Sequence, residues 1–160
     1  MTTPRTNWLQ VVRNLRPHSS GGKFSPHKPL LVLLLLGRAR DGHPNEFRFK
    51  EVEKKLPPWI QAMTGRRGEA LLPFWHLQSS AHPAFWNIGN KERLQHRQGK
   101  PRPTMTSLRD VNPAGVVDPG MWLAVSTDSA LRNEVASEVI EAYFELPDRA
   151  KVRRLTGFAE

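Results

Sequence analysis

Ser25-Pro26-His27-Lys28-Pro29 leads directly into Leu30-Leu31-Val32-Leu33-Leu34-Leu35-Leu36, a cationic entrance on an uninterrupted apolar run. A bilayer span needs roughly 20 apolar residues, so this shorter run predicts a core helix and not a membrane segment. Ser25 can cap the helix. Pro26 and Pro29 are tolerated in its first turn, where N–H groups lack intrahelical partners. The helix is expected to end near Arg40 to Gly42, and its first turn carries His27 and Lys28 at the edge of the core. The expected architecture is therefore α+β (mixed α/β), mostly helical around this buried central helix, with a small β-hairpin or sheet.

Working outward, Thr6 can cap a first helix in which Trp8, Leu9, Val12 and Leu15 recur at helical spacing before Pro17. His18 to Lys23 reads as a glycine-containing loop whose backbone can approach another molecule closely. Beyond the central helix, Phe47 to Leu56 predicts a short strand or turn entering a helix, which Pro57-Pro58 should break or bend. Gly65-Arg66-Arg67-Gly68 is a basic turn. Leu71 to Gln78 and Ala84 to Ile88 read as two strands of a hairpin, and residues 91–103 as a basic loop or ragged helix end. Asn112-Pro113-Ala114-Gly115 marks a turn, and Pro119 to Val125 a short helix. Ser129 to Phe144, capped by Asp128 or Ser129, has Leu131, Val135 and Val139 on one face and should pack on the central helix.

The 160 residues suffice for one ordinary domain with a single core. Lys and Arg number 24 against 15 Asp and Glu, a net charge of +9, and the pI is near 10.6. Such a surplus predicts a polyanionic partner, and without a lipidation motif or a basic amphipathic helix the expectation is nucleic acid, with no membrane. The lack of cysteine excludes disulfides, thiolate zinc sites and a cysteine nucleophile. Met1 to Leu15 contains no apolar core of signal-peptide length, so the expected location is cytoplasmic. Residues 1–147 are expected to form a single DNA-binding domain, and residues 148–160, with Arg149, Lys151, Arg153 and Arg154, a basic C-terminal tail or truncated linker.

Three segments carry binding chemistry. The Ser25–Lys28 entrance offers free N–H groups and the positive end of a helix dipole to a phosphate, with Lys28 as a point charge and His27 as a donor; Ser25 as a plain cap is the simpler alternative. Leu72-Pro73-Phe74-Trp75-His76 can expose a small apolar wall, although an aromatic-rich strand is more often core. Pro73 and His76 can share a ligand only if a turn or bulge interrupts the strand. The third segment contains His96, Arg97, Lys100 and Arg102, joined by Arg66 and Arg67 elsewhere. Arginines of this kind can bridge phosphates or read guanine in a major groove, and Arg97 and Arg109 are the favoured specific contacts. The six histidines form no HExxH or other compact ligand motif, and no GxSxG or P-loop sequence is present. Neither a catalytic residue, a metal nor a cofactor is expected.

Taken in order, Pro26 to Leu31, Leu72 to Leu77, Ser107-Leu108-Arg109 to Val117, and the Leu131–Phe144 helix resemble the sulfur-binding domain of type IV, McrA-like HNH restriction endonucleases. That family recognises DNA in which sulfur replaces a non-bridging phosphate oxygen, and a separate HNH domain cuts the strands. The resemblance implies a non-catalytic module that targets phosphorothioate-modified double-stranded DNA for a nuclease domain in the parent chain. It implies a sulfur pocket lined by Leu72, Pro73 and His76, where the family often has an aromatic residue in place of Leu72 and a small one in place of His76. Arg109 or Arg97 would close the pocket. Lys23, Ser25, His27, Lys28, Arg66, Arg67, Trp75, His96, Arg97, Lys100, Arg102 and Asn112 are the expected DNA-binding residues. A general DNA-binding domain indifferent to sulfur is the alternative, and a stand-alone metal-dependent nuclease a more remote one.

Overall fold

The computed structural model describes residues 3–15, 17, 19–20, 23–79, 85–96 and 98–158, with the side chains of residues 20 and 23 outside that description. In chain order its elements are α1 (Pro4–Arg13), β1 (Ser19–Ser20), β2 (Lys23–Phe24), α2 (His27–Arg40), β3 (Phe47–Arg48), α3 (Phe49–Thr64), α4 (Leu71–His76), β4 (Trp86–Ile88), α5 (Met105–Val111), β5 (Ala114–Val117), α6 (Pro119–Thr127), α7 (Ser129–Tyr143) and α8 (Leu146–Thr156). Helix α2 is the axis. Every residue from Leu30 to Leu36 is buried, because α3, α4, α6, α7 and α8 all pack against it. A helix that is apolar all round is stable in water only when so enclosed. It ends as expected, with Asp41 as C-cap and Gly42 at φ 78°.

The sheet is small. Antiparallel strands lie in the order β3-β5-β4, with Phe47 opposite Gly115 and Trp86 opposite Val117. Gly115 lies against the indole ring of Trp86, which occupies the space a Cβ would need. That indole in turn donates 2.8 Å from Nε1 to the carbonyl of Phe74, tying β4 to α4. Strand β3 runs straight into α3, as its sequence suggests.

Several expectations need correction. The cap of α1 is Thr3, whose hydroxyl accepts from Thr6 N. The helix begins about one turn earlier than the apolar spacing suggests, with Pro4 as its first residue. Ser25 does not cap α2; Pro26 holds that position, and the Ser25 hydroxyl pairs with His27 instead. Pro57 and Pro58 lie inside α3 without ending it. Leu56, Pro57 and Ile60 are buried there, so tertiary packing offsets the lost N–H donors. Leu71 to Gln78 is no strand: α4 covers Leu71–His76, followed by a 3-10 turn over Leu77–Ser79. Leu71, Phe74 and Trp75 are buried at helical spacing, and Pro73 falls in the first turn, where it removes no helical bond. The second half of the expected hairpin, Ala84 to Ile88, is a strand over its last three residues; Ala84 lies outside the described residues.

The basic segment expected as a tail from residue 148 is helix α8. Val152 has no exposed surface and Phe158 is buried. The Arg40 guanidinium sits 5.0 Å from the Phe158 ring centroid, and its Nη1 donates 2.7 Å to the Gly157 carbonyl. Four arginines and lysines in a short helix hide its buried residues from a reading by charge. Helix α7 packs on α2 as expected and is capped by the Asp128 carboxylate, which accepts from Leu131 N. Among the described residues, no helix is long and apolar enough to cross a membrane.

Candidate nucleic-acid interface

Two helix entrances meet at one concavity of about 560 Å³, lined by Pro17, Ser25, His27, Lys28, Leu72, Pro73 and His76. They are built alike. In α2, Pro29 is the third helical residue and Leu30 N is the first to bond back, to Pro26 O at 2.8 Å. In α4, Pro73 is the third residue and Phe74 N bonds back to Ala70 O at 3.0 Å. Leu72 and His76 are four residues apart on α4, and Pro73 and His76 three apart, so one helix face presents all three. The shared orientation that a strand could supply only through a bulge comes from the helix itself. Leu72 is 43% exposed, an unusual position for a leucine and the most open part of the apolar wall.

The polar side of the concavity is held by short bonds. Ser25 Oγ lies 2.6 Å from His27 Nδ1, and Lys28 Nζ donates 3.2 Å to the Leu15 carbonyl. Burial pushes both the His27 imidazole and the Lys28 ammonium below their ordinary values. His76 is also lowered, first by burial and then by the positive charges of Lys28 and Arg102. At neutral pH the two imidazoles are therefore uncharged, and Lys28 is the cation among the described lining residues. The site combines apolar contact with a charge at its edge, at the N-terminal end of α2, where an anion is favoured.

The basic loop lies beside this site because α4 holds it. Trp75 is 8% exposed; its Nε1 donates 3.1 Å to Pro101 O and its ring meets that of His96 edge-on at 5.6 Å. His96 bridges Pro103, Thr104 N bonds to Gln95 O, and Gln95 N donates to Ser107 Oγ. Trp75 is thus an anchor for the loop, with little of its ring exposed. His96 and Lys100 are exposed on the loop, and the half-buried Arg102 borders Leu72 in an adjoining concavity.

Other expected residues lie elsewhere. Arg109 is outside the concavity of Leu72, Pro73 and His76; its Nε and Nη2 grip the Glu53 carboxylate at 3.0 and 2.8 Å, beside Arg67. That ion pair removes Arg109 from the pocket wall. Arg66 and Arg67 are exposed after α3. Asn112 is a helix C-cap at φ 50°, and its Oδ1 accepts from Lys50 N at 2.9 Å, so its side chain joins α5 to α3. Arg97 and the Lys23 side chain lie outside the described residues. Pro17 is the lining residue that the sequence reading missed; only its position one loop before Ser25 could have signalled it.

This architecture is shared with solved DNA-bound modules. The sulfur-binding domain of ScoMcrA complexed with phosphorothioated DNA superposes with TM-score 0.78 at 20% identity, over 92% of this chain and 97% of that one. The sulfur-binding domain of SprMcrA complexed with phosphorothioated DNA gives 0.74 at 18% identity, over 96% and 94%. The type IV phosphorothioation-dependent restriction endonuclease ScoMcrA gives 0.77 at 20% identity, and 98% of this chain spans 28% of that longer one. At such identities the likeness defines the class of fold, an α+β sulfur-binding domain. The family follows from the sequence itself: residues 5–160 match the ScoMcrA-like DNA sulfur-binding domain, and the chain belongs to that family. No curated protein sequence matches it.

Proposed function

We propose that this chain is a non-catalytic module that recognises phosphorothioate-modified double-stranded DNA through the concavity between α2 and α4. The observation that carries this reading is the meeting of Pro17, Leu72 and Pro73 with Ser25, His27, Lys28 and His76 around one opening. Sulfur is larger, more polarizable and less strongly hydrated than oxygen, so Leu72 and Pro73 accept it at little cost. An ordinary phosphate oxygen pressed against the same wall loses hydration, and an unsatisfied polar atom costs about 1–3 kcal/mol. Selectivity then arises from rejection of the normal backbone and amounts to about tenfold or more.

Lys28 and the N-terminus of α2 supply attraction common to both kinds of backbone. Arg102, which borders Leu72, is better placed than Arg109 to supply the basic side of the pocket. Lys23, Arg66, Arg67, His96, Arg97 and Lys100 add contacts that depend on salt rather than on sulfur. The full-length restriction endonuclease ScoMcrA supports assigning strand cleavage to a nuclease domain in the parent chain, with this module delivering it to modified sites.

The test is binding to two duplexes that differ by a single phosphorothioate of defined stereochemistry, at physiological salt. Tighter binding of the sulfur duplex by about tenfold is expected. Replacing Pro73 or His76 should shrink the ratio, and Lys28→Ala should weaken both duplexes alike. Equal affinity for the two duplexes would leave a general DNA-binding domain and overturn the proposal.

A further inference from the structure

A second concavity lies on the other side of the α2 entrance and has the opposite electrical character. It encloses about 290 Å³ between β2, the end of α3 and the α7–α8 junction. Its apolar lining is Phe24, Pro26, Met63, Tyr143 and Phe144, and its carboxylates are Glu141, Glu145 and Asp148. Among the described residues Arg149 is the one basic residue lining it, and that guanidinium is already committed to the carbonyls of Phe144 and Glu141 at 3.0 and 3.1 Å. On a chain of net charge +9, three carboxylates around one apolar recess repel a nucleic-acid backbone. The aromatic side is open: Phe24 is 46% exposed and meets Tyr143 edge-on at 5.4 Å. Leu146, next to Glu145, is 75% exposed.

We propose that this recess docks an arginine-bearing segment of a protein partner. The charge complementarity selects a cation, and the aromatic lining selects a flat one, since a guanidinium stacks on a ring while bonding a carboxylate in its plane. Phe24, Met63 and Leu146 then receive an apolar side chain flanking the arginine. The site is separate from the DNA concavity, and Pro26 forms its wall while Ser25 and His27 line the other.

The probe is a short fluorescein-labelled peptide of alternating arginine and leucine, followed by anisotropy and by amide chemical shifts of the intact chain. The expected result is saturable binding with shifts centred on Met63, Thr64 and Ala142, weakened about tenfold or more by Glu141→Gln with Asp148→Asn. The matching glutamate–leucine peptide should not bind, and the preference of the double variant for the sulfur duplex over the unmodified one should be unchanged. Shifts centred elsewhere, equal peptide affinity of the double variant, or no binding to the arginine peptide would each overturn the proposal. Because the duplex assay is run on the same protein, loss of peptide binding is distinguishable from failure of the DNA reading.

Discussion

His76 concentrates the chemistry of the site in one ring. Burial, Lys28 and Arg102 all hold it below its ordinary value, so its folded form binds a proton less readily than its unfolded form. The stability owed to the neutral ring is present above the unfolded value of about 6.5 and is lost as pH falls through the lowered folded value. A bound backbone reverses the local field, because an anion beside the ring favours its protonation. Duplex binding should therefore take up protons and strengthen as pH falls from 8 toward about 6. In His76→Gln that slope should shrink, leaving the share of His27, which is lowered by burial. Fluorescence titrations across this range check the point, and an unchanged slope in the variant would remove His76 from the contact. Sequence reading reached Lys28 at the entrance of the central helix, and His76, three residues after Pro73, through the segment that resembles the family's pocket. It could not reach the burial and neighbouring charges that set their protonation.

At the scale of elements, α4 decides the site and was the element least legible in advance. Leu, Phe and Trp in a row favour either a strand or a buried helix, and short apolar runs do not separate the two by periodicity alone. What separates them is tertiary: Trp86 donates to Phe74 O, and Phe49 and Phe74 meet edge-on at 5.2 Å. Gly115→Ala forces a methyl into the Trp86 ring and should destabilise the fold by about 1–3 kcal/mol, measured by urea denaturation. Since the displaced indole holds α4, the same variant should also lose part of its preference for sulfur. Stability and preference both equal to those of the parent would refute this coupling. The long elements behaved differently: α2 and α7 announced themselves because each extends an apolar pattern over several turns. Helix α8 was obscured by its charges. Removing residues 146–160 strips the partners of Val152 and Phe158 and should cost about 3 kcal/mol or more, near 10 °C in melting temperature. An unshifted melt would restore the reading of that segment as a tail.

Across the whole molecule, the proposed function gives the charge surplus and the pocket separable tasks. The net charge of +9 predicts that affinity for any duplex falls linearly on a log–log plot against salt, with a slope near −0.9 for each phosphate neutralised. The sulfur ratio arises from short-range contact and should stay nearly constant along that plot. Lys28→Ala should reduce the magnitude of the slope by about 1. A ratio that collapses with salt would assign recognition to charge instead of to the apolar wall. One feature of α2 binds these scales together. A helix packed on a single side can roll about its own axis and swing whatever it carries; α2, with Leu30 to Leu36 buried all round, has no free side on which to roll. The azimuth of His27 and Lys28 is thereby set before any duplex arrives. Little rotational freedom is left to lose on binding, so in the proposed function the pocket would meet the backbone as a fixed gauge able to register the difference of a single atom.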